Sequence, residues 1–570
     1  MKIQLRKVDR DMVDRLMREG IPRSLARVYA ARGIQDRQDL DYRAACLEKT
    51  PLKDQEKAVN LLLSAREQQL PICIVGDYDC DGATATTVMV RGLHGLGFQN
   101  VDFLVPNRFT DGYGLTPPIV ERVVARGARV LVTVDNGISS IAGVQAAKAA
   151  GLTVIVTDHH LAGDGLPEAD AILNPNQPGC PFPWKSTAGV GVAFLLILAL
   201  YRELEARGEA YPNPSYLAPL VALGTVADVV PLEYNNRILV RQGLLRWRSG
   251  NTFPGLLALA AVSKVELETL GAGSIAFQLG PRLNAAGRMD DMTIGIRCLL
   301  EDDPERAEAL AKELDTFNKE RRAIEKEQCS AAMAELPANP SGQSGLTALL
   351  ENGHLGVIGI VAGRLKEQFH RPVVVFAEDG EWLKGSGRSI PGFHLRDALA
   401  DLSVAHPDWF KAFGGHAMAA GMTLRKSAFA EFQREFDRLA GERLTQTDLT
   451  ETLLVDGILS PAEISLELAE AIEDLGVWGQ HFPEPVFLGT FEVRSSKLLK
   501  QAHLRLELSL PGVEQVPAIW FNQAEEIPEG VRLRLAFSLD INRFRGEESL
   551  QLRIHWGEAT NSVSSLSQVA

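Results

Sequence analysis

Residues 76–82 read GDYDCDG directly after the apolar run PICIV, so Asp77, Asp79 and Asp81 stand at alternate positions. At about 4 Å each carboxylate pair repels by roughly 4 kcal/mol at an effective dielectric of about 20, and a cation is the natural compensation. The run begins like a calcium loop, D-x-D-x-D-G, but such a loop needs a bidentate Glu at its twelfth position and a helix before it. The twelfth position here is Val88, and the preceding run reads as a buried strand. Capping of the helix expected over ATATTVMVRGL needs one Asp, not three. What remains is a strand that delivers carboxylates into the turn after it, where ligands bind in an open parallel sheet.

Two more apolar runs end the same way. RVLVTVDNG finishes on Asp135, and LTVIVTDHH on Asp158, His159 and His160. Oxygen and imidazole donors without cysteine favour Mn²⁺ or Mg²⁺ over structural zinc.

The elements that must position these residues follow from patterning. Between residues 70 and 175, PICIV, VDFLVP, RVLVTV, LTVIVT and AILNP alternate with helical stretches, which predicts a mostly parallel sheet with helices on both faces. Residues 1–65 read as polar, amphipathic helices and 186–260 as further helices. A long helix is expected over 301–336, where Leu310, Leu314, Phe317 and Ile324 keep helical spacing and Pro337 stops it. PANPSGQSG reads as a linker, and a second α/β unit with TALLE and PVVVFAE as strands follows to about 450. From about 486, LRLELSL, VPAIWFN, VRLRLAFSL and LQLRIHW alternate as in a small antiparallel barrel, and GEATNSVSSLSQVA reads as a disordered tail.

Composition sets the outer limits. A chain of 570 residues with 45% apolar and 23% charged residues folds into several packed units. A net charge of −14 excludes a wholesale basic nucleic-acid binder but allows a local basic channel. Six scattered cysteines with no CxxC pair predict reduced thiols. The N-terminus has no apolar signal core and GVGVAFLLILALY is too short to span a bilayer, so the expectation is a cytoplasmic protein with no membrane partner.

GDYDCDG, VDNG and TDHH resemble motifs one to three of the DHH phosphoesterase superfamily, and ALGTVADVVPL, with Asp228, resembles the fourth. LGPRLNAAGRMDD (279–291) and FGGHAMAAGMTL (413–424) narrow the likeness, the second resembling the core of the DHH-associated domain. Over about residues 20–556 the chain is similar to the bacterial single-strand-specific 5′ to 3′ DNA exonucleases of that superfamily, with Cys80, Gly387 and Gly353 departing from its usual residues. The resemblance implies an α/β protein: an N-terminal helical region (1–65), a DHH-type parallel-sheet catalytic domain (66–300), a connecting helix (301–336), a DHH-associated α/β domain (345–450), an OB-fold barrel (456–556) and a disordered tail (557–570). It further implies two metals, one held by Asp77, Asp79 and Asp135 and one by Asp81, Asp135, His159 and Asp228, with Asp135 bridging. His160 would touch the scissile phosphate or assist the departing 3′ oxygen, and Asp158 would orient a histidine or cap its turn.

Candidates for the phosphate side are Arg108, Arg282, Asn284, Arg288, Ser386, Arg388, Ser389 and His416, mostly beside glycines that let N–H groups approach an anion. In the barrel, Trp520, Phe521, Phe544 and Trp556 with Arg543, Arg545 and Arg553 are candidates to stack and steer single-stranded DNA, about half of the aromatics being expected to fill the core instead. Lys497 and Lys500 are expected to add affinity. The expected function is hydrolysis of single-stranded DNA from its 5′ end to 5′ mononucleotides, in recombination and repair, by a monomer working with a single-strand-binding protein and a helicase. The rivals are a phosphodiesterase for short oligonucleotides or cyclic dinucleotides, which would lack the barrel and long helix, and a non-catalytic DNA-binding scaffold, which would not need the ligands. A dinucleotide oxidoreductase is excluded because no G-x-G-x-x-G follows the first strand of the sheet.

Overall fold

The computed structural model describes residues 1–163, 165–337, 340–544 and 546–560, with the side chains of 341 and 544 left aside. The expectations for Arg545, for stacking by Phe544 and for the tail beyond 560 therefore lie outside the described residues. The chain forms two compact units. The larger takes Ile3–Leu283, Met292–Ala311 and the chain from Leu454 onward; the smaller takes Met1–Lys2, Asn284–Asp291 and Lys312–Leu453.

The chain opens on β1 (Lys2–Leu5), inside the stretch read as wholly helical. Two apolar residues, Ile3 and Leu5, are too short a period to register as a strand. Helices Arg10–Arg18, Arg23–Ala30 and Gln55–Glu67 follow. Five strands then build the expected parallel sheet: β2 (Ile72–Val75), β3 (Val101–Leu104), β4 (Val130–Val134), β5 (Thr153–Thr157) and β6 (Ala171–Leu173), in the order β3-β2-β4-β5-β6. All neighbouring pairs are parallel. Every residue of β2, β4 and β6 is buried, as near-continuous Val/Ile/Leu runs covered on both faces require. On one face Val75, Leu131 and Val154 pack against Ile119, Val123 and Val144 of two helices. The strand order reverses between β2 and β4, which opens a crevice at their C-terminal ends.

In the smaller unit a mixed sheet runs β10-β11-β9-β8-β7, built from β7 (Leu346–Leu350), β8 (Val373–Asp379), β9 (Trp382–Arg388), β10 (Phe410–Gly415) and β11 (Ala419–Arg425). Only β7 and β8 pair in parallel. The long helix is Pro304–Glu335, beginning at the proline and stopping before Pro337.

β12 (Thr452–Val455) pairs with β1, and β13 (Gly457–Ile458) leads into the barrel. Its staves are β14 (Phe487–Leu499), β15 (His503–Leu510), β16 (Val513–Phe521), β17 (Arg532–Phe544) and β18 (Glu547–Ala559), closed by β14 pairing with β17 and with β16 and β18 parallel. This is the OB-type barrel expected. Its first stave escaped the alternation rule because Gly489 and a bulge between Val493 and Ser495 break the period. No helix among the described residues is long and apolar enough to cross a membrane.

A buried ion pair ties the N-terminal helices to the segment entering the barrel. Arg32 donates to both Asp456 oxygens at 2.7 and 3.0 Å, with each side chain 1% exposed. Asp456 also accepts from the Val486 N–H at 3.0 Å, and its carbonyl accepts from Arg27 Nε at 2.8 Å. Removing one partner of such a pair leaves a buried charge uncompensated, at about 3–5 kcal/mol. Asp456→Ala is therefore expected to lower unfolding free energy by about that amount in urea melts; a change under about 1 kcal/mol would show the pair contributes no more than a surface one.

Candidate metal centre

The crevice at the ends of β2 and β4 collects the carboxylates. Asp79 caps the helix Cys80–Gly95, accepting from Gly82 N–H at 3.0 Å, so one of the three alternating residues does double as a cap. Asp81 reaches across to the start of the helix Gly189–Ala206, whose Gly189 and Val190 N–H groups donate to its two oxygens at 2.7 and 2.9 Å. Asp135 leaves β4 at φ +60°, and Asn136 beside it donates to the Val75 and Val134 carbonyls, locking the two strand ends together. Asp228 follows the helix Ala218–Ala227 as its C-cap.

These approaches need glycine. A Cβ on Gly189 would lie 2.6 Å from Asp135 Oδ1, and one on Gly224 2.8 Å from Asp81 Oδ1. His159 Nε2 lies 3.1 Å from Asp135 Oδ1, 3.6 Å from Asp228 Oδ2 and 4.0 Å from Asp81 Oδ2. Ligand atoms converge within 4.8 Å in three sets: Asp77, Asp79 and Asp135; Asp81, His159 and Asp228; and Asp135, His159 and His160.

Such a set fits divalent cations. Asp135 Oδ1 is buried with no hydrogen-bond partner among the described residues. Burial, then the neighbouring carboxylates, pushes Asp77, Asp135 and Asp228 well above the usual carboxylate range and Asp81 up to about 7. The donors are oxygen and imidazole; Cys80 is buried in its helix, and burial pushes its thiol well above the ordinary value.

Asp158 works behind the histidines. Its Oδ1 accepts from His159 N–H at 2.7 Å, His160 N–H at 3.1 Å and His160 Nδ1 at 2.8 Å, while Oδ2 accepts from Ile138 N–H at 2.9 Å. Burial opposes the charge on His160, but the Asp158 hydrogen bond and the surrounding carboxylates hold it up to about 9. Because Nδ1 is engaged by Asp158, Nε2 is the nitrogen left to the site.

Patterning missed two phenols. Tyr113, half exposed, places its OH 3.4 Å from His160 Nε2 and 3.5 Å from the Asp135 carbonyl. Tyr78 meets Tyr113 edge-on and carries the Arg108 guanidinium 4.2 Å over its ring. Both sit beside recognised motifs, Tyr78 within GDYDCDG, yet an aromatic next to a ligand carries no spacing signal.

The phosphate candidates divide between the units. Arg108 and Arg282 belong to the larger, Arg282 donating to the Gln278 carbonyl at 2.6 Å. Asn284, Arg288, Ser386, Arg388, Ser389 and His416 belong to the smaller. There Arg388 and the Ser386 hydroxyl close on Gly359 at the start of the helix Ile358–Phe369, where a Cβ would lie 2.8 Å from Ser386 Oγ and 3.1 Å from Arg388 Nη2. Arg288 donates to the Gly356 carbonyl just ahead of that helix at 3.1 Å. His416 is exposed in the turn between β10 and β11.

Two expectations are corrected. Ser389 is buried and its hydroxyl donates to the Phe393 carbonyl at 2.6 Å, so its side chain supports the fold and does not face an anion. Arg543 donates twice to Glu473, at 2.9 and 2.5 Å, and to Glu548 at 2.8 Å, which leaves its guanidinium committed to carboxylates rather than to DNA. Arg553 likewise pairs with Glu484. Trp520 lies half buried over the backbone of Gly557, and the exposed aromatic beside it is Phe521, edge-on to His503.

Comparison with known proteins adds three family matches and close relatives. Residues 71–225 match the DHH family, N-terminal domain, 342–442 the DHHA1 domain and 455–555 the RecJ OB domain. The chain is 47% identical to the single-stranded-DNA-specific exonuclease RecJ of Escherichia coli (strain K12), over 97% of this chain and 98% of that protein. Its fold is similar to the crystal structure of RecJ in complex with Mn²⁺ from Thermus thermophilus, at TM-score 0.83 and 29% identity, covering 98% of this chain and 80% of that one. The Mg²⁺ complex from the same source superposes at TM-score 0.78 and 27% identity, covering 98% and 79%.

The raised carboxyl groups fix the sign of a pH effect. Unfolded aspartate titrates near 3.9. With folded values higher, the native protein without cations binds more protons than the unfolded chain between there and about 7, so its stability falls as pH rises through that window. In chelator, the melting temperature is expected to drop between about pH 4 and pH 7, and Mn²⁺ should restore it more at the higher pH. A Mn²⁺ effect independent of pH, or one retained in full by Asp135→Asn, would rule out this cluster as the binding site.

Proposed function

The chain belongs to the RecJ family of single-stranded-DNA-specific exonucleases, and from that premise we propose that it hydrolyses single-stranded DNA from the 5′ end to 5′ mononucleotides. The carrying observation is the convergence of two ligand sets, Asp77–Asp79–Asp135 and Asp81–His159–Asp228, at the reversal point of the parallel sheet. Asp135, with His159 3.1 Å from its Oδ1, stands where it can serve both sets. Mn²⁺ or Mg²⁺ held there would supply Lewis acidity toward phosphate oxygens and lower the pKa of an attacking water.

The chain's own residues do the rest. Water adds to phosphorus in line as the bond to the 3′ oxygen breaks, and the departing oxygen needs a proton. His160, its Nδ1 held by Asp158 at 2.8 Å, can donate it from Nε2 or hold the phosphate. Tyr113, within hydrogen-bond reach of that nitrogen, orients it. Arg108, stiffened on Tyr78, presents donors to a phosphate of the strand. In the smaller unit, Ser386 and Arg388 at a helix start offer an anion-binding cluster suited to a 5′ phosphate, with burial working against an uncompensated Arg388. Exposed Lys497 and Lys500 remain as barrel contacts to the backbone. A cytoplasmic monomer that acts in recombination and repair with a single-strand-binding protein and a helicase completes the reading.

An end-labelled oligonucleotide time course tests it. Mononucleotides should appear from the 5′ end, faster with a 5′ phosphate than with a hydroxyl, and blunt duplexes should persist. Asp135→Ala, folded by circular dichroism, should lose at least about 10³-fold in rate, since it removes a ligand of one set and the carboxylate placed to serve the other. Release from the 3′ end, rapid cutting of a circular single strand, or substantial turnover by Asp135→Ala would each overturn the corresponding part.

A further inference from the structure

Val229 follows Asp228 directly after the helix Ala218–Ala227 and adopts φ +62°. Helices commonly place glycine at such a left-handed position, because a Cβ there crowds the neighbouring carbonyl. For a β-branched residue the conformation is a genuine outlier. Among the described residues burial does not offset the strain: the Val229 side chain is 62% exposed, while Val226 and Val230 nearby are buried. The bonds that close the turn, Asp228 N–H to the Gly224 carbonyl at 2.9 Å and Val229 N–H to the Val226 carbonyl at 3.2 Å, use backbone alone and would form equally with glycine. A strained residue beside a reactive centre points to a use for its side chain.

That use is limited by position and chemistry. Asp228 Oδ2 is 3.6 Å from His159 Nε2, and Val229 is the next residue in the chain, so the strained turn adjoins the ligand sets on which a scissile phosphate would be held. The substrate atoms nearest a scissile phosphate are those of its two flanking sugars; bases stand farther out. An isopropyl group has no donor or acceptor, so it favours the bare C2′ methylene of deoxyribose and leaves a 2′-hydroxyl without a partner.

We propose that Val229 is a substrate-contact residue that packs against the deoxyribose beside the scissile phosphate and selects against a ribonucleotide there. The inference rests on the exonuclease reading above and adds a specificity to it. Oligodeoxynucleotides carrying one ribonucleotide at the first or the second position from the 5′ end are compared with all-DNA through kcat/KM. The wild-type protein should disfavour one of the two by on the order of 10- to 100-fold. Val229→Gly, which accepts φ +62° without strain, should melt no lower than wild type, bind Mn²⁺ with unchanged affinity and lose most of that discrimination. Val229→Thr, which keeps the branched shape and supplies a hydroxyl, should raise ribonucleotide turnover selectively.

Three outcomes would overturn the inference: a wild-type protein that cuts both substrates equally, variants that keep the wild-type preference, or an equal loss on both substrates with weakened Mn²⁺ binding, which would make Val229 a support for Asp228 only. A wild-type protein inert on all-DNA would instead overturn the exonuclease reading, and the inference with it.

Discussion

The crowding of Asp77, Asp79, Asp81, Asp135 and Asp228 into one crevice is the constraint around which the larger unit is arranged. Four of them are pushed toward their neutral forms by burial and by one another, so the folded protein without cations is electrostatically unfavourable at neutral pH. The scaffold opposes this with fixed dipoles where it can: two N–H groups at a helix start hold Asp81, and one N–H holds Asp79. Glycines 189 and 224 let the carboxylates lie against backbone. None of these devices supplies a full positive charge. Divalent cations do, which ties stability and chemistry to one event.

A chain of net charge −14 still places cations at chosen points. Charge is compensated locally, with Arg108 stacked on Tyr78 in one unit and Arg388 beside Ser386 at a helix start in the other. Elsewhere arginines are spent internally. Arg32 neutralises Asp456, while Arg543 and Arg553 neutralise Glu473 and Glu484 and fasten the barrel to the segment before it. Counting basic residues in a strand therefore overstates what is free to meet a phosphate.

What was legible in the sequence and what was not divides along that line. Apolar runs of strand length ending on Asp or His report both the sheet and the site, because a parallel strand must end where its ligands begin; Asp77, Asp135 and His159 were readable for that reason. Side-chain direction is another matter. Ser389 follows β9 beside residues suited to anions, yet the turn after it sends its hydroxyl to Phe393. Arg543 lies 70 residues from the Glu473 that claims it, a separation no local pattern spans. Asp228 had no strand before it and was found only through the resemblance of its motif. Tyr113 and β14 stayed hidden because an exposed phenol and a bulged strand carry no period.

Among the ligands Asp135 has φ +60°, and Val229 beside Asp228 has φ +62°. Each such residue costs on the order of 1–3 kcal/mol, and both lie where the chain leaves a regular element to aim a carboxylate. Aspartate is several-fold enriched among residues at positive φ, so at Asp135 the turn costs less and places a carboxylate. Valine has no such compensation, and its carboxylate neighbour gains nothing from the branch. The two turns are alike in geometry and unlike in what they present: one turns a buried carboxylate into the crevice, the other leaves an exposed branched side chain beside Asp228.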